Sequence, residues 1–380
     1  MERSIYLKLH EWKNSLSRKP LILKGARQVG KTYLLKEFGK KEYEDLAYFN
    51  FEEEPRLKEF FQSGLKPHSI LEKLSLFLGK KIQAGKSLIF FDEIQAAPNA
   101  LNALKYFHED APEYHLVAAG SLLGVGLNNI KSFPVGKVNF LEMYPLTFFE
   151  FLDALGKTAL RQFLESIKKP EPLDEIFHLE CCELLKKYYF IGGMPEAVAS
   201  FVAEGDWEKV RKIQKDILTS YLMDFSKHAS KNETIKMMAI WESMPKQLAK
   251  ESKKFKFSLA NKNARARDYH EAVQWISRAG LLILAKQVKT PKIPLSGYEH
   301  DENFKAYLFD IGILSAMVGL GHSTLIDGDR LFMEFKGALV ENFVAQELVA
   351  AGTMPLHYWS LDQVAEIEFL IETEKGIFPL

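Results

Sequence analysis

The sequence predicts an α/β protein with a parallel sheet covered by helices at its front. A helical stretch follows, and then a small helix-and-hairpin module with an α/β tail. Three observations carry this. The first 150 residues alternate short apolar runs with helical periodicity, the pattern of a parallel sheet with crossover helices. A glycine-rich loop sits between the first apolar run and the first strong helical pattern after it. Beyond residue 148 the strand signals stop, helical spacing takes over, and short strands return only after about residue 280.

In order, the strand candidates are 20–24 (PLILK), 46–51 (LAYFNF), 87–91 (SLIFF), 115–119 (HLVAA) and 137–141 (KVNFL). Their nearly unbroken apolar character suits strands covered on both faces. Helical patterns then fill 148–155, 160–167, 173–190 and 204–225, with Gly192-Gly193-Met194-Pro195 as a break where glycine ends one helix and proline begins the next. Helices are predicted over 233–244 and 258–279. Strands at 281–289 and 305–309 flank a Pro/Gly-rich turn, giving the element order of a winged helix-turn-helix. A helix at 335–350 and strand-like HYWS and EIEFLIE close the chain.

Composition narrows the class. The 380 residues are 47% hydrophobic and 26% charged, those of a globular protein of two to three domains. No apolar run reaches the roughly 20 residues of a membrane span, and the charged start lacks the core of a signal peptide, so a cytoplasmic protein without membrane contact is expected. Cys181 and Cys182 are adjacent, which offers neither a disulfide framework nor a zinc site. His108 and His115 lack the spacing of a helical metal pair, and no Gly-x-Ser-x-Gly elbow occurs.

Residues 25–32, GARQVGKT, fit G-x-x-x-x-G-K-[ST] after a strand and before a helix. The residue types follow from phosphate chemistry. Gly25, Ala26, Arg27, Gln28, Val29 and Gly30 wrap backbone N–H groups around phosphates, with Tyr33 in the turn that follows. Lys31 is expected to neutralise the β- and γ-phosphates of ATP, and Thr32 to ligate Mg²⁺. At the end of 87–91, Asp92 is placed to hold Mg²⁺ and Glu93 to act as the general base on a water. Ser121, at the tip of the next strand, is either a γ-phosphate sensor or an ordinary turn serine.

With these segments in hand, the chain resembles the AAA+ ATPases. More closely, it resembles a group of bacterial and archaeal ATP-binding proteins whose ATPase module precedes a conserved C-terminal domain of unknown function. GARQVGKT, YFNFEE, LIFFDEIQ, AAGSLLG, VGKVNFLEMYPLTFFEF, YYFIGGMPEAV, RARDYHEAVQWISRAGLLI, KAYLFDIGILSAM and KGALVENFVAQEL carry the likeness. It implies an ATPase core of AAA+ type over 1–155, a helical lid over 156–230 and a winged-helix module over 231–330. The chain has Gly136-Lys137 where such proteins often carry Gly-Arg, so an arginine finger and ring assembly stay open.

Equal totals of 50 basic and 50 acidic residues hide a polarity. Residues 231–299 hold 14 Lys+Arg and 6 Asp+Glu, a net +8 that the remainder balances. Duplex DNA, an acidic protein partner or the rest of the chain would each suit this module. On the DNA reading, Arg265, Arg267 and Arg278 lie on the helix that would enter the groove, with Lys286, Lys289 and Lys292 on the wing. The segment 331–380 resembles the start of a restriction-endonuclease-like fold, with Glu341 on its helix and Glu366 and Glu368 at the acidic metal-ligand positions. Glu368 stands where Asp is usual and the sequence stops before a Glu-x-Lys, so a truncated, packing or docking domain is the expectation there.

Overall fold

The structure is a computed structural model that describes residues 2–62, 64–120, 136–169, 172–250, 253–322, 330–361 and 364–380. It divides into two compact units, one spanning Glu2–Tyr144 and the other Pro145–Leu380.

In the first unit, β1 (Leu21–Lys24), β2 (Asp45–Asn50), β3 (Ser87–Asp92), β4 (His115–Ala119) and β5 (Asn139–Glu142) form one sheet of order β2-β3-β4-β1-β5. Every pairing is parallel. All five predicted strands are present. β3 is buried along its full length, as its apolar run requires, whereas the edge strands β2 and β5 alternate. Helices α2 (Lys31–Glu42), α3 (Pro67–Leu78) and α4 (Pro98–Asp110) make the crossovers. An additional helix, α1 (Ile5–Asn14), was masked by its charges; it buries Ile5, Leu9 and Trp12 at helical spacing.

The second unit opens with the helix Phe148–Ala154, whose Thr147 and Glu150 form a reciprocal capping box. Helices Thr158–Ser166, Glu175–Ile191, Pro195–Glu204, Trp207–His228 and Lys231–Leu248 follow. The predicted helix over 204–225 starts later, because Gly205 turns left-handed and Asp206 caps a new helix through the N–H groups of Glu208 and Lys209. Likewise 258–279 is two helices, Phe257–Ala260 and Ala266–Arg278; Asn261 accepts from the Asn263 N–H and breaks the run.

In the hairpin, β6 (Leu282–Val288) lies within its predicted range, whereas β7 (Glu299–Leu308) begins six residues before its sequence signal at 305. The β6 edge pairs in parallel with β8 (Leu356–Leu361), which continues to β9 (Ala365–Thr373) and β10 (Gly376–Pro379). Residues expected in separate modules, 231–330 and 331–380, therefore share one mixed sheet of order β10-β9-β8-β6-β7.

The centre of this unit is a polar knot. Gly193 donates to the Asp310 carboxylate at 2.6 Å, and Asp310 also accepts from Ile313 at 2.9 Å, capping the helix Ile311–Val318. Tyr188 donates to the Leu146 carbonyl and receives Gln346 Nε2, each at 2.5 Å; Gln346 Oε1 accepts from Ile311. Gln214 donates to the Phe190 and Ile191 carbonyls, and Arg211 to the Leu320 carbonyl and Ser315. A methyl group on Gly193 would lie 2.1 Å from the Leu146 oxygen, and one on Gly312 2.5 Å from the Ile191 oxygen. The motifs around 192, 310 and 346 are thus backbone crossings welded by buried side chains.

Candidate nucleotide site

The phosphate loop occupies the turn from β1 into α2. Gly25 has φ 142° and Gly30, the N-cap of α2, has φ 95°, conformations that glycine adopts without steric cost. Gly25 has a second constraint, since a Cβ there would meet the Met143 carbonyl oxygen at 2.1 Å. Gln28 is also left-handed, at φ 66°, and lies exposed beside Arg27 at the loop's outer side. Ala26 and Val29 are buried and fix the loop from within. Tyr33 is 67% exposed, pointing its ring away from the core.

Lys31 is only 7% exposed and donates to the carbonyls of Gly25 at 2.9 Å and Ala26 at 2.7 Å. Burial pushes its ammonium down to about 8, against the pull of Glu93 and Asp92. It rests on acceptors of its own loop, a substitute partner for a buried cation.

Asp92 ends β3. Its Oδ2 accepts from Thr32 Oγ1 at 2.9 Å and from Tyr48 OH at 3.0 Å, while its Oδ1 accepts from the Glu93 N–H at 3.1 Å. The Thr32 oxygen, from the first turn of α2, and the Asp92 oxygens, from the end of β3, therefore lie together as oxygen donors that suit Mg²⁺. Glu93 is held at φ 49°, and its carboxylate accepts from Gln95 Nε2 at 2.5 Å. Burial raises the Glu93 carboxyl, and the nearby Asp92 and Glu52 push the same way. The other Gln95 amide atom, Oε1, is buried without a hydrogen-bond partner.

Two of these residues were unassigned in the sequence. Tyr48 and Gln95 lie inside YFNFEE and LIFFDEIQ, but no spacing rule ties a tyrosine or glutamine there to the acids. Ser121 lies outside the described residues. Lys137 pairs with Glu109 of α4 at 2.9 Å, an ordinary half-exposed ion pair.

Some basic and acidic residues of the second unit pair with each other. Lys253 pairs with Glu341, and Lys286 with Glu299 at 2.5 Å. Lys305, 1% exposed, pairs with Glu368 and with Glu366 at 2.8 Å, while Tyr307 donates to Glu341 at 3.1 Å. The two glutamates expected at metal-ligand positions, Glu366 and Glu368, both pair with the Lys305 ammonium. Among the described residues no group of three or more His, Cys, Asp or Glu side chains gathers so as to hold a metal ion.

A five-stranded parallel sheet in this order, with a phosphate loop after β1 and paired acids at the tip of β3, is the arrangement of a P-loop nucleotide-binding fold. Residues 17–152 match the family model described as an AAA domain. Residues 182–324 match a domain of unknown function, DUF8612, and residues 336–380 another, DUF4143. The chain carries an AAA-type ATPase domain followed by two domains of unknown function. Its fold is similar to that of the Walker-type ATPase PABY2304 of Pyrococcus abyssi, at 14% identity and TM-score 0.50, covering 82% of this chain and 94% of that one. PCH-2 of C. elegans matches at 10% identity and TM-score 0.30, over 52% of this chain and 58% of that one. The ORC1 protein of Aeropyrum pernix, solved in complex with DNA, matches at 14% identity and TM-score 0.30, over 92% and 95%. These two similarities are too low to carry an argument. No curated protein matches the chain. Among the described residues no helix is long and apolar enough to cross a membrane.

Proposed function

We propose that the chain binds Mg-ATP, hydrolyses it, and uses the cycle to change the state of its C-terminal unit. The observation that carries this reading is the convergence of Thr32, Asp92 and Glu93 beside the phosphate loop. On binding, Lys31 exchanges the Gly25 and Ala26 carbonyls for phosphate oxygens, a stronger set of partners for its ammonium. Thr32 and Asp92 would hold the Mg²⁺, which would offset negative charge on the phosphates. Glu93 takes a proton from the attacking water as the bond from the γ-phosphorus to the bridging oxygen breaks, giving ADP and inorganic phosphate. Steady-state phosphate release by wild type, Lys31→Ala and Glu93→Gln tests this. Loss of binding in the first and binding without turnover in the second is the expected pair, and wild-type turnover by Glu93→Gln would remove the base assignment.

A second reading, a nucleotide-gated DNA- or protein-binding switch with little turnover, is favoured by what the ion pairs leave over. Lys254, Lys256, Lys262, Arg265, Arg278, Lys289 and Lys292 are exposed on the 231–299 module, where helix 266–278 precedes the β6–β7 hairpin as in a winged helix. The winged-helix and tail modules, and a lid over 156–230, belong to this proposal. ATP would then change affinity for a duplex by a coupling of about 1–3 kcal/mol. Equal affinity for duplex DNA at low salt with and without ATP excludes the DNA form of the switch.

A further inference from the structure

A residue outside every motif ties the phosphate loop to the end of its unit. Arg3 Nη1 donates to the Val29 carbonyl at 3.2 Å, and Arg3 Nη2 to the Tyr144 carbonyl at 2.6 Å. Val29 lies inside the loop, one residue before the N-cap of α2, and Tyr144 is the last residue of the first unit. The same two stretches meet again alongside. The Met143 N–H donates to the Lys24 carbonyl at 2.9 Å, and the Gly25 backbone lies against the Met143 carbonyl with no room for a side chain. Two residues beyond Tyr144, the Leu146 backbone is held on both sides: its N–H donates to Gly193 and its carbonyl accepts from Tyr188. Between a backbone fixed to the phosphate loop and a backbone fixed to the polar knot there is one residue, Pro145, whose φ is set by its ring.

We propose that Arg3 is a positioning residue that makes Tyr144 follow the state of the phosphate loop, so that nucleotide binding is transmitted to 145–380 through Tyr144 and Pro145. The inference rests on the nucleotide reading above. Phosphates that draw Lys31 off the Gly25 and Ala26 carbonyls change the loop that contains Val29. A guanidinium is a rigid planar fork, so its two bonds cannot adjust independently. Either Tyr144 moves with Val29, or a charge-assisted hydrogen bond is lost. A lysine, with one compact ammonium, cannot impose that fixed separation on both carbonyls.

Hydrogen exchange on the full chain, with and without Mg-ATPγS, tests the link in wild type, Arg3→Ala and Arg3→Lys. In wild type, nucleotide is expected to slow exchange at 25–32 and to alter it at 146–151. In Arg3→Ala, protection at 25–32 persists with affinity within about tenfold of wild type, but the response at 146–151 disappears; Arg3→Lys restores part of it. A full response at 146–151 in Arg3→Ala overturns the proposal, even if that variant loosens residues 5–14, because Arg3 then only anchors α1. Protection at 25–32 in wild type without any response at 146–151 overturns it too, while leaving nucleotide binding intact. Absence of protection at 25–32 in wild type removes the nucleotide reading itself and the proposal with it.

Discussion

The polar groups around Lys31 and those around Asp310 are both hydrogen-bonded within the protein, yet they are arranged to opposite ends. At the nucleotide site the partners are provisional: a lysine on its own loop's carbonyls, and a base carboxylate on Gln95. Each can be exchanged for something better. In the knot of the second unit Asp310, Gln346, Tyr188 and Gln214 bind backbone groups of segments far apart in sequence, and glycines let those backbones touch. Nothing there can be exchanged without leaving a buried polar group unpaired, at about 1–3 kcal/mol each. On the proposed reading one sharp motif marks chemistry, whereas another of equal sharpness marks a place where two stretches of backbone cross.

This contrast can be broken by substitution. The largest effect is expected at the site: Glu93→Gln should lower turnover by about 10²–10⁴-fold with nucleotide binding retained, read by phosphate release and by equilibrium binding. It should leave thermal stability near that of wild type. Gly193→Ala should do the reverse. Its Cβ would sit 2.1 Å from the Leu146 oxygen, and overpacking against backbone costs about 3 kcal/mol or more, visible as early unfolding in urea. A Gly193→Ala protein as stable as wild type would mean the knot is plastic.

A third prediction concerns pH. Burial pushes the Glu347 carboxyl up to about 7, and the nearby Glu150 adds to it. An acid raised in the folded state keeps its proton there when the unfolded chain has lost it. The folded state then binds more protons between roughly pH 4.5 and 7, so stability falls as pH rises through that window. Glu347→Gln keeps an acceptor for the Phe148 N–H and should flatten this dependence, gaining on the order of 1–3 kcal/mol above pH 7. Denaturant melts at pH 5 and pH 8 decide it: an unchanged difference between them in the variant removes Glu347 as the cause. The smallest effect is expected for Tyr48→Phe, which deletes one of the hydrogen bonds to Asp92. A loss of about 1 kcal/mol should appear in the magnesium dependence of turnover, with little change in maximal rate. An equal fall in maximal rate would instead place Tyr48 in the chemical step.

What could be read beforehand follows the same division. The five strands and GARQVGKT were legible because burial on both faces and phosphate geometry each impose local, contiguous patterns. The position of Asp92 and Glu93 at the end of a strand was legible in the same way, while their roles remain the proposal above. Tyr48, Gln95 and Arg3 were not, since each acts through a contact across the fold, 44 residues apart for Tyr48 and Asp92 and 141 for Arg3 and Tyr144. Charge counting could not show pairing: Lys253 and Lys286, two of the 14 basic residues of 231–299, sit beside Glu341 and Glu299.

The pairing of β6 with β8 has a consequence for synthesis. A hairpin leaving the ribosome exposes one edge of β6 until residue 356 emerges, 68 residues after Val288. At about 5–20 residues per second that edge stays open for roughly 3–14 s. During that interval one edge of Leu282–Val288 is open to any passing chain, and the nascent protein is exposed to edge-to-edge aggregation until β8 is made.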